Sequence, residues 1–282
     1  MRHIVATPST LIEALCFFYP DSSKRTLLTW IENERIVVNS QKVSKKKFPL
    51  KSGDLLTIGP KEKILPGLIK ILYEDRFFVI IEKPEGLLSV PLDDAPSENA
   101  WYRLRKEKTL SSILPVHRLD RETSGVMMFA KGKMGQEAFK ELFLHHDITR
   151  EYIAIVEGQL FPDKGTWQSY LMEMKNLHVT TTTPDQGSLA ITHYEVIERN
   201  EKYSLLRLQL ETGKKHQIRV QCNAAKHTVL GDKKYGSTIN PIGRLALHAT
   251  RLAFVDPFSK KPYSFSSPLP ESFLKRGQFS LS

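Results

Sequence analysis

The sequence of 282 residues has little cysteine and no long apolar run. Its two cysteines, Cys16 and Cys222, lie far apart and outside any metal-ligand spacing, which excludes a disulfide scaffold and favours a reducing compartment. A membrane-spanning helix needs about 20 apolar residues in succession, and no apolar run approaches that length. Residues 1–9 contain one arginine and no apolar stretch, so no secretory signal is expected. These absences predict a cytoplasmic protein that does not use a membrane.

The motifs of nucleotide cofactors and metal sites are also missing. Neither a Gly-x-x-x-x-Gly-Lys-Ser/Thr string nor a Gly-x-Gly-x-x-Gly string occurs, so no nucleotide cofactor is expected. The potential metal ligands lack the His-x-His and His-Glu-x-x-His spacings, so no metal is expected either. Those potential ligands are His145, His146, His216, His227, His248 and Asp232. Ser124 precedes a glycine without the Gly-x-Ser-x-Gly turn of many hydrolases, which weakens a hydrolase interpretation.

Positive charge is in excess. The chain has 41 Lys or Arg against 31 Asp or Glu, a formal net charge of +10 and a pI near 9.4. Such a field favours polyanions, with nucleic acid first and acidic membrane surfaces second. A hydrophobic share of 40% is enough for a buried core, and the length fits one large domain or a large one with a small one.

The first sixty residues predict a small α+β domain. Leu11 and Leu15 lie at helical spacing, and Ser22 or Ser23 can cap a second helix. Short apolar segments bounded by turn residues then predict strands. The domain has nine Lys or Arg against five Asp or Glu, and a basic face at a helix start suits RNA phosphates. The cations that we expect to contact RNA are Lys24, Arg25, Lys45, Lys46 and Lys47.

This N-terminal segment resembles the small RNA-binding domain named after ribosomal protein S-four. The strings SSKRTLLTWIENERIVVNSQKV and KSGDLLTI carry the resemblance. Ser40 is a departure, because that domain usually has glycine after the asparagine.

The rest of the chain predicts a linker at 61–67, a large α+β domain at 68–270 and a C-terminal tail at 271–282. Strands outnumber helices without regular alternation, which favours a mixed sheet with peripheral helices. The predicted strands lie at 68–73, 77–82, 125–130, 151–157, 191–197 and 203–210. The predicted helices lie at 98–108, 133–145 and 216–226.

The segment PVHRLDRETSG places Asp120 among His117, Arg118 and Arg121. A carboxylate beside guanidinium groups stays ionised, because opposite charge favours its charged form. Such an aspartate could act as a nucleophile, a general base, a metal ligand or half of a salt bridge. The segment alone leaves these four roles open.

Six segments in a fixed order closely resemble the RluA-type family of pseudouridine synthases, across nearly the whole of 68–256. They are VIIEKPEGLLSVP, HRLDRETSG, REYIAIVEG, ETGKKHQIRVQ, GDKKYG and LALHATRLAF. The resemblance implies the pseudouridine synthase fold, with a largely antiparallel sheet. It also implies isomerisation of a uridine within RNA, without metal or cofactor.

The resemblance implies a role for each motif residue. Asp120 matches the family's nucleophile, and Arg219 matches the arginine that pairs with it. Tyr152 matches the tyrosine that stacks on the target base, and stacking is favoured over proton transfer because a phenol is a poor base at neutral pH. Arg118 matches the arginine that fills the gap left by a flipped base. Contacts to RNA or the base are expected from His117, Arg121 and Ile218.

Some features leave the interpretation open. Lys214, Gln221 and Thr228 depart from the family pattern, which bears on substrate contacts rather than on the chemistry. An RNA-binding protein that keeps this fold without catalysis is the alternative. The presence of Asp120, Tyr152 and Arg219 argues against it, because binding alone would not demand all three. Ribosomal RNA is favoured over transfer RNA as partner, and a monomer is expected.

Overall fold

The computed structural model describes residues 2–32, 36–39, 41–58, 69–91, 98–106 and 110–279. By its internal contacts the chain divides into two units, Met1–Leu65 and Pro66–Ser282. The linker predicted at 61–67 lies outside the described residues. No helix in the described part of the chain is long and apolar enough to cross a membrane.

The small unit consists of two helices and two small sheets. Its elements are β1 (Arg2–Ile4), β2 (Ser9–Thr10), α1 (Leu11–Phe18), α2 (Lys24–Glu32), β3 (Ile36–Val38), β4 (Gln41–Lys42), β5 (Pro49–Leu50) and β6 (Leu55–Ile58). Strands β1, β6, β3 and β4 form one sheet in that order, and β2 pairs with β5. The predicted helices and strands are present, whereas β1, β2 and β5 were not predicted.

Both helices of the small unit begin at a side-chain cap. The Thr10 backbone N–H donates to Glu13 Oε2 at 2.8 Å, and Ser23 Oγ accepts from the Thr26 backbone N–H at 3.2 Å. These bonds satisfy N–H groups that the first helical turn leaves unpaired. Leu11 and Leu27, one from each helix, are fully buried in the core between the helices and the sheet.

The large unit is built on one sheet of eleven strands. Its strands are β7 (Lys70–Glu74), β8 (Phe78–Lys83), β9 (Ile113–Pro115), β10 (Ser124–Lys131), β11 (Ile148–Glu157), β12 (Lys164–Glu173), β13 (Val179–Thr182), β14 (Ser188–Arg199), β15 (Tyr203–Leu210), β16 (Leu247–Val255) and β17 (Pro262–Ser266). Its helices are α3 (Ala100–Leu104), α4 (Gly132–Leu144), α5 (Gln217–Ala224) and α6 (Glu271–Gly277). A 3₁₀ turn covers Lys233–Tyr235.

The strand order along the sheet is β13-β12-β14-β15-β11-β16-β10-β8-β7, with β17 beside β16 and β9 beside β10. Among the pairings that the described residues form, β10 with β16 is parallel and the others are antiparallel. The prediction of a mixed, largely antiparallel sheet with few helices is therefore confirmed. Strands β9, β12, β13, β16 and β17 were not predicted; β12, for example, is half exposed and carries a weak apolar pattern.

Gly125 makes the parallel contact between β10 and β16 possible. Its φ is +117°, and a Cβ at this position would overlap the backbone of Ala249. Only glycine tolerates both the conformation and the close approach. The Ser-Gly pair at the end of the HRLDRETSG segment is therefore what brings this loop against β16.

The described residues 271–279 of the segment predicted as a tail, 271–282, contribute instead to the core of the large unit. Phe273 on α6 is fully buried, and Phe279 is 6% exposed. Both belong to the same apolar cluster as Ile155 of β11. The apolar residues of this short helix have more burial to gain against the sheet than in solvent, so the helix is not a peripheral appendage.

Candidate active site

A cavity of about 670 Å³ opens on one side of the large unit's sheet. Its walls come from the loop between β9 and β10, from β11, from the loop after β15 and from the start of α5. Four Lys or Arg side chains line it together with one carboxylate, Asp120. The four cations are Arg118, Arg150, Lys214 and Arg219.

Asp120 and Arg219 meet in this cavity as predicted. Arg219 Nη1 donates to Asp120 Oδ2 at 3.1 Å. The Asp120 side chain is 19% exposed and that of Arg219 is 5% exposed. A charged hydrogen bond from a nearly buried guanidinium orients a carboxylate that still faces the cavity. The arrangement suits an oxygen nucleophile or base.

Arg219 is itself held by Asp232, which the sequence did not single out for this role. Arg219 Nε and Nη2 donate to Asp232 Oδ2 and Oδ1 at 2.7 and 2.8 Å, and Asp232 is 1% exposed. Burial acts to lower the pKa of Arg219, but the hydrogen bonds and charge of Asp232, with Asp120, raise it above its ordinary value. The guanidinium is therefore a permanent, fixed cation.

Two further contacts secure the loop that contains Asp120. Ser89 Oγ donates to the Leu119 carbonyl at 2.8 Å and accepts from the Leu119 N–H at 3.0 Å. The fully buried Lys83 Nζ donates to the carbonyls of Leu87 and Arg121 at 2.7 and 3.2 Å. Burial lowers the pKa of Lys83 to about 7, although the negative charge of Asp120 acts to raise it. The loop is thus tied to the turn that follows β8.

Tyr152 lies in the cavity wall on β11, where the register with β16 shifts between Glu151 and Tyr152. Such a bulge re-aims side chains next to active sites. Tyr152 is 9% exposed, and burial raises its pKa to about 12. The apolar walls near it include Ile218 and Leu247, both of which are buried.

The three basic residues of the HRLDR segment have different surroundings. His117 Nε2 accepts from the Met128 N–H at 2.9 Å, its ring stacks on Phe143, and burial lowers its pKa to about 3. Arg121 Nε donates to the Gly86 carbonyl at 3.1 Å, and Arg121 does not line the cavity. Arg118 is exposed at the cavity, and it forms no hydrogen bond or ion pair with another described residue. Of the three, Arg118 is available to a ligand.

The predicted cations of the small unit are exposed. Lys24 and Arg25 occupy the first turn of α2, and Lys45, Lys46 and Lys47 lie in the loop before β5. None of these five residues lines the cavity.

His216 is a residue of the cavity to which the sequence assigned no role. It precedes α5 with φ +54°, its Nδ1 lies 2.8 Å from Tyr235 Oη, and its Nε2 lies 3.9 Å from Asp120 Oδ1. Burial, with the charge of Arg219, lowers its pKa to about 3. The two strings ETGKKHQIRVQ and GDKKYG contain the four residues of one contact network, so the sequence held a signal for this role. These residues are His216, Arg219, Asp232 and Tyr235.

The departures from the family pattern differ in position. Gln221 is buried, where its side chain bonds to Thr192 and to the Ala190 carbonyl at 2.6 and 3.1 Å. Thr228 Oγ1 donates to Asn223 Oδ1 at 3.0 Å. Lys214 is exposed and lines the cavity. Only Lys214 is placed to contact a ligand there.

The potential metal ligands do not assemble. Within the described ranges, no group of three or more His, Cys, Asp or Glu side chains could hold a metal ion. Asp232 is engaged by Arg219, and His248 Nδ1 lies 2.7 Å from Ser124 Oγ.

Comparisons with known proteins identify the family that this chain resembles. The sequence model of the family described as RNA pseudouridylate synthase matches residues 77–224. The chain is 33% identical over 266 residues to the uncharacterized RNA pseudouridine synthase YlyB of Bacillus subtilis, covering 89% of this chain and 87% of that protein. It is 30% identical over 289 residues to ribosomal large subunit pseudouridine synthase D of Escherichia coli, covering 94% and 88%. A solved structure of human RNA pseudouridylate synthase domain containing 4 superposes with a TM-score of 0.64 at 25% identity, covering 75% and 94%.

Proposed function

The chain belongs to the RNA pseudouridylate synthase family, an isomerase family, and we propose that it isomerises specific uridines of ribosomal RNA with Asp120 as nucleophile. The observation that carries this proposal is the hydrogen bond of 3.1 Å between Arg219 Nη1 and Asp120 Oδ2 at the wall of the cavity. A binding protein would not need a carboxylate held against a buried cation at the base of a cavity.

The reaction breaks the N1–C1′ bond of a uridine and forms a C5–C1′ bond. The proton on C5 leaves and N1 gains one, so atoms and charge balance without an added reagent. Asp120 can attack C1′, promote loss of uracil as a glycal, or add to the ring. Each route needs an anionic oxygen in a fixed position. Asp120 provides the oxygen, and Arg219, itself held by Asp232, fixes its position through hydrogen bonds.

Base flipping is the second part of the proposal. C1′ and C5 of a stacked uridine are inaccessible, so the nucleotide must leave the helix, at a cost of a few kcal/mol. Arg118 is exposed beside the cavity and has no partner among the described residues, which suits insertion into the gap left behind. Tyr152 and Ile218 provide an aromatic and an apolar surface against which uracil can pack.

Ribosomal RNA is proposed as the substrate because relatives at 30–31% identity are named ribosomal large subunit pseudouridine synthase D. The exposed cations of the small unit support phosphate contacts outside the cavity. These cations are Lys24, Arg25, Lys45, Lys46 and Lys47.

The test is to map pseudouridine in total RNA by carbodiimide adducts and primer extension. Three strains are compared: one with the wild-type gene, one without it, and one with Asp120→Asn. We expect the same uridines to lose their signal in the deletion and in the Asp120→Asn strain, while purified Asp120→Asn protein still binds the RNA. Restoration of every site by Asp120→Asn would reject Asp120 as nucleophile, and an unchanged deletion strain would favour RNA binding without catalysis. Sites that appear only in transfer RNA would correct the substrate.

A further inference from the structure

Arg150 on β11 is a buried cation without an acidic partner. Two arginines are buried among the described residues, Arg150 at 7% and Arg219 at 4% exposure. Arg219 forms ion pairs with three carboxylates, those of Asp120, Glu122 and Asp232. Arg150 forms no ion pair with any residue that the structure describes. An unpaired buried charge is costly unless something else compensates it.

The contacts that Arg150 does make leave part of its guanidinium free. Nη2 donates to the Glu211 carbonyl, and the guanidinium carbon lies 5.7 Å from the centre of the Phe143 ring. Nε has no hydrogen-bond partner, and Nη1 bonds to no described residue. Burial lowers the pKa of Arg150, yet an arginine remains charged at neutral pH. Its charge is therefore only partly compensated by the protein.

Gly213 lets the chain pass directly over this guanidinium. A Cβ at Gly213 would collide with Arg150 Nη1, so the backbone lies close to the cation. The side chain of the next residue, Lys214, is exposed at the cavity and bonds to no described residue. With Arg118, three cations that line the cavity lack a carboxylate within the described part of the chain.

We propose that Arg150 binds a backbone phosphate of the RNA next to the flipped uridine. The inference rests on the proposed function, because the ligand is the RNA substrate. A uracil ring is neutral and would leave the excess charge of the cavity uncompensated. A phosphate supplies the anionic oxygens that a guanidinium binds best. Arg150 is thus a substrate-binding residue distinct from the pair of Asp120 and Arg219.

The test measures the salt dependence of RNA binding in the Asp120→Asn background, so that turnover does not enter the result. The RNA is an unmodified transcript of ribosomal RNA. Affinity is measured by filter binding between about 50 and 300 mM KCl. For Arg150→Met, we expect the slope of log K against log [KCl] to become shallower by about 0.7–0.9, the contribution of one phosphate contact.

A matched control is Arg207→Met. Arg207 pairs in register with Ile153, so it lies on the sheet face opposite Tyr152. It is exposed and bonded to Glu195 at 2.7 Å. We expect the parental slope for this variant. Arg150→Lys keeps the positive charge and should keep the parental slope. A parental slope for this variant would show that a change in Arg150→Met comes from the lost charge and not from poor folding.

A second arm separates phosphate from base. Uridine, uridine 3′-monophosphate and uridine 5′-monophosphate compete against the RNA. We expect Arg150→Met to weaken at least one nucleotide by about tenfold and to leave uridine unchanged. The phosphate contact is rejected if the salt slope of Arg150→Met is unchanged, or if this variant loses as much affinity for uridine as for the nucleotides. Either result holds even if isomerisation is established. A changed slope in a protein that modifies no uridine would retain the contact and reject the proposed reaction.

Discussion

Arg219 binds Asp232 through two parallel hydrogen bonds of 2.7 and 2.8 Å, and both side chains are nearly inaccessible to solvent. The pair leaves the third nitrogen of the guanidinium, Nη1, to contact Asp120. A planar, bidentate ion pair fixes the direction of the remaining donor, which a lysine could not do. Asp232 therefore positions Arg219, which lies between Asp232 and Asp120.

Asp232→Asn should be strongly destabilising as well as inactivating. The change removes one charge of a buried pair, for which we expect a loss of about 3–5 kcal/mol in the free energy of unfolding. The control is Asp163→Asn at the exposed pair with Arg199, where the loss should stay below about 1 kcal/mol. Urea denaturation measures both. Equal stability of the two variants would show that the Asp232 contact is unimportant.

Tyr152→Phe and Tyr152→Ala separate stacking from proton transfer. Because burial raises the pKa of Tyr152 to about 12, only about one molecule in ten thousand has a phenolate at pH 8. We expect Tyr152→Phe to keep kcat within about tenfold and Tyr152→Ala to lose at least a hundredfold in kcat/KM. Single-turnover assays on the mapped RNA decide this. A loss in Tyr152→Phe as large as in Tyr152→Ala would assign the hydroxyl a chemical role.

Three histidines should make the protein sensitive to mild acid. Burial, with a nearby arginine in each case, lowers the pKa of His117 and His216 to about 3 and that of His248 to about 4. Between about pH 6.5 and pH 4 the unfolded chain binds protons that the folded chain does not. The free energy of unfolding must therefore fall as the pH is lowered through this window, by about 1–2 kcal/mol per histidine at pH 5.

Urea midpoints at pH 7 and pH 5 test that dependence. His117→Asn should reduce it, whereas His145→Asn, at the exposed end of α4, should retain the parental difference. Equal midpoints for the parent at the two pH values would contradict neutral buried histidines.

Gly125→Ala should prevent stable folding of the large unit. Its Cβ would overlap the Ala249 backbone at a φ of +117°, and we expect a loss of at least about 4 kcal/mol. Gly132 is the control, because it also has a positive φ, +70°, but a Cβ at this position would meet no atom within 4 Å. Gly132→Ala should lose only about 1–2 kcal/mol, from backbone strain alone. Thermal unfolding of soluble protein measures the difference, and similar melting temperatures would refute the steric argument.

The sequence was informative where a local pattern has a local cause. Leu11 and Leu15 repeat at helical spacing and are buried on one face of α1, and Ser23 caps α2 as its position suggested. The apolar run from Val126 to Ala130 predicted a buried strand, and it forms the interior of β10. Strand β12 was missed because polar and small residues such as Gly165 and Ser169 interrupt the apolar alternation of its partly buried face.

The sequence by itself determined the family and the α+β class, and it predicted that Arg219 pairs with Asp120, because motif residues and their order are read directly from the chain. Tertiary structure alone decided what those residues touch. It placed Asp232 behind Arg219, gave His117 an internal backbone partner and packed Phe273 into the core. It also left Arg150 without a carboxylate among the described residues. Such outcomes depend on which distant side chains become buried together, and burial is what gives a charge its need for a partner.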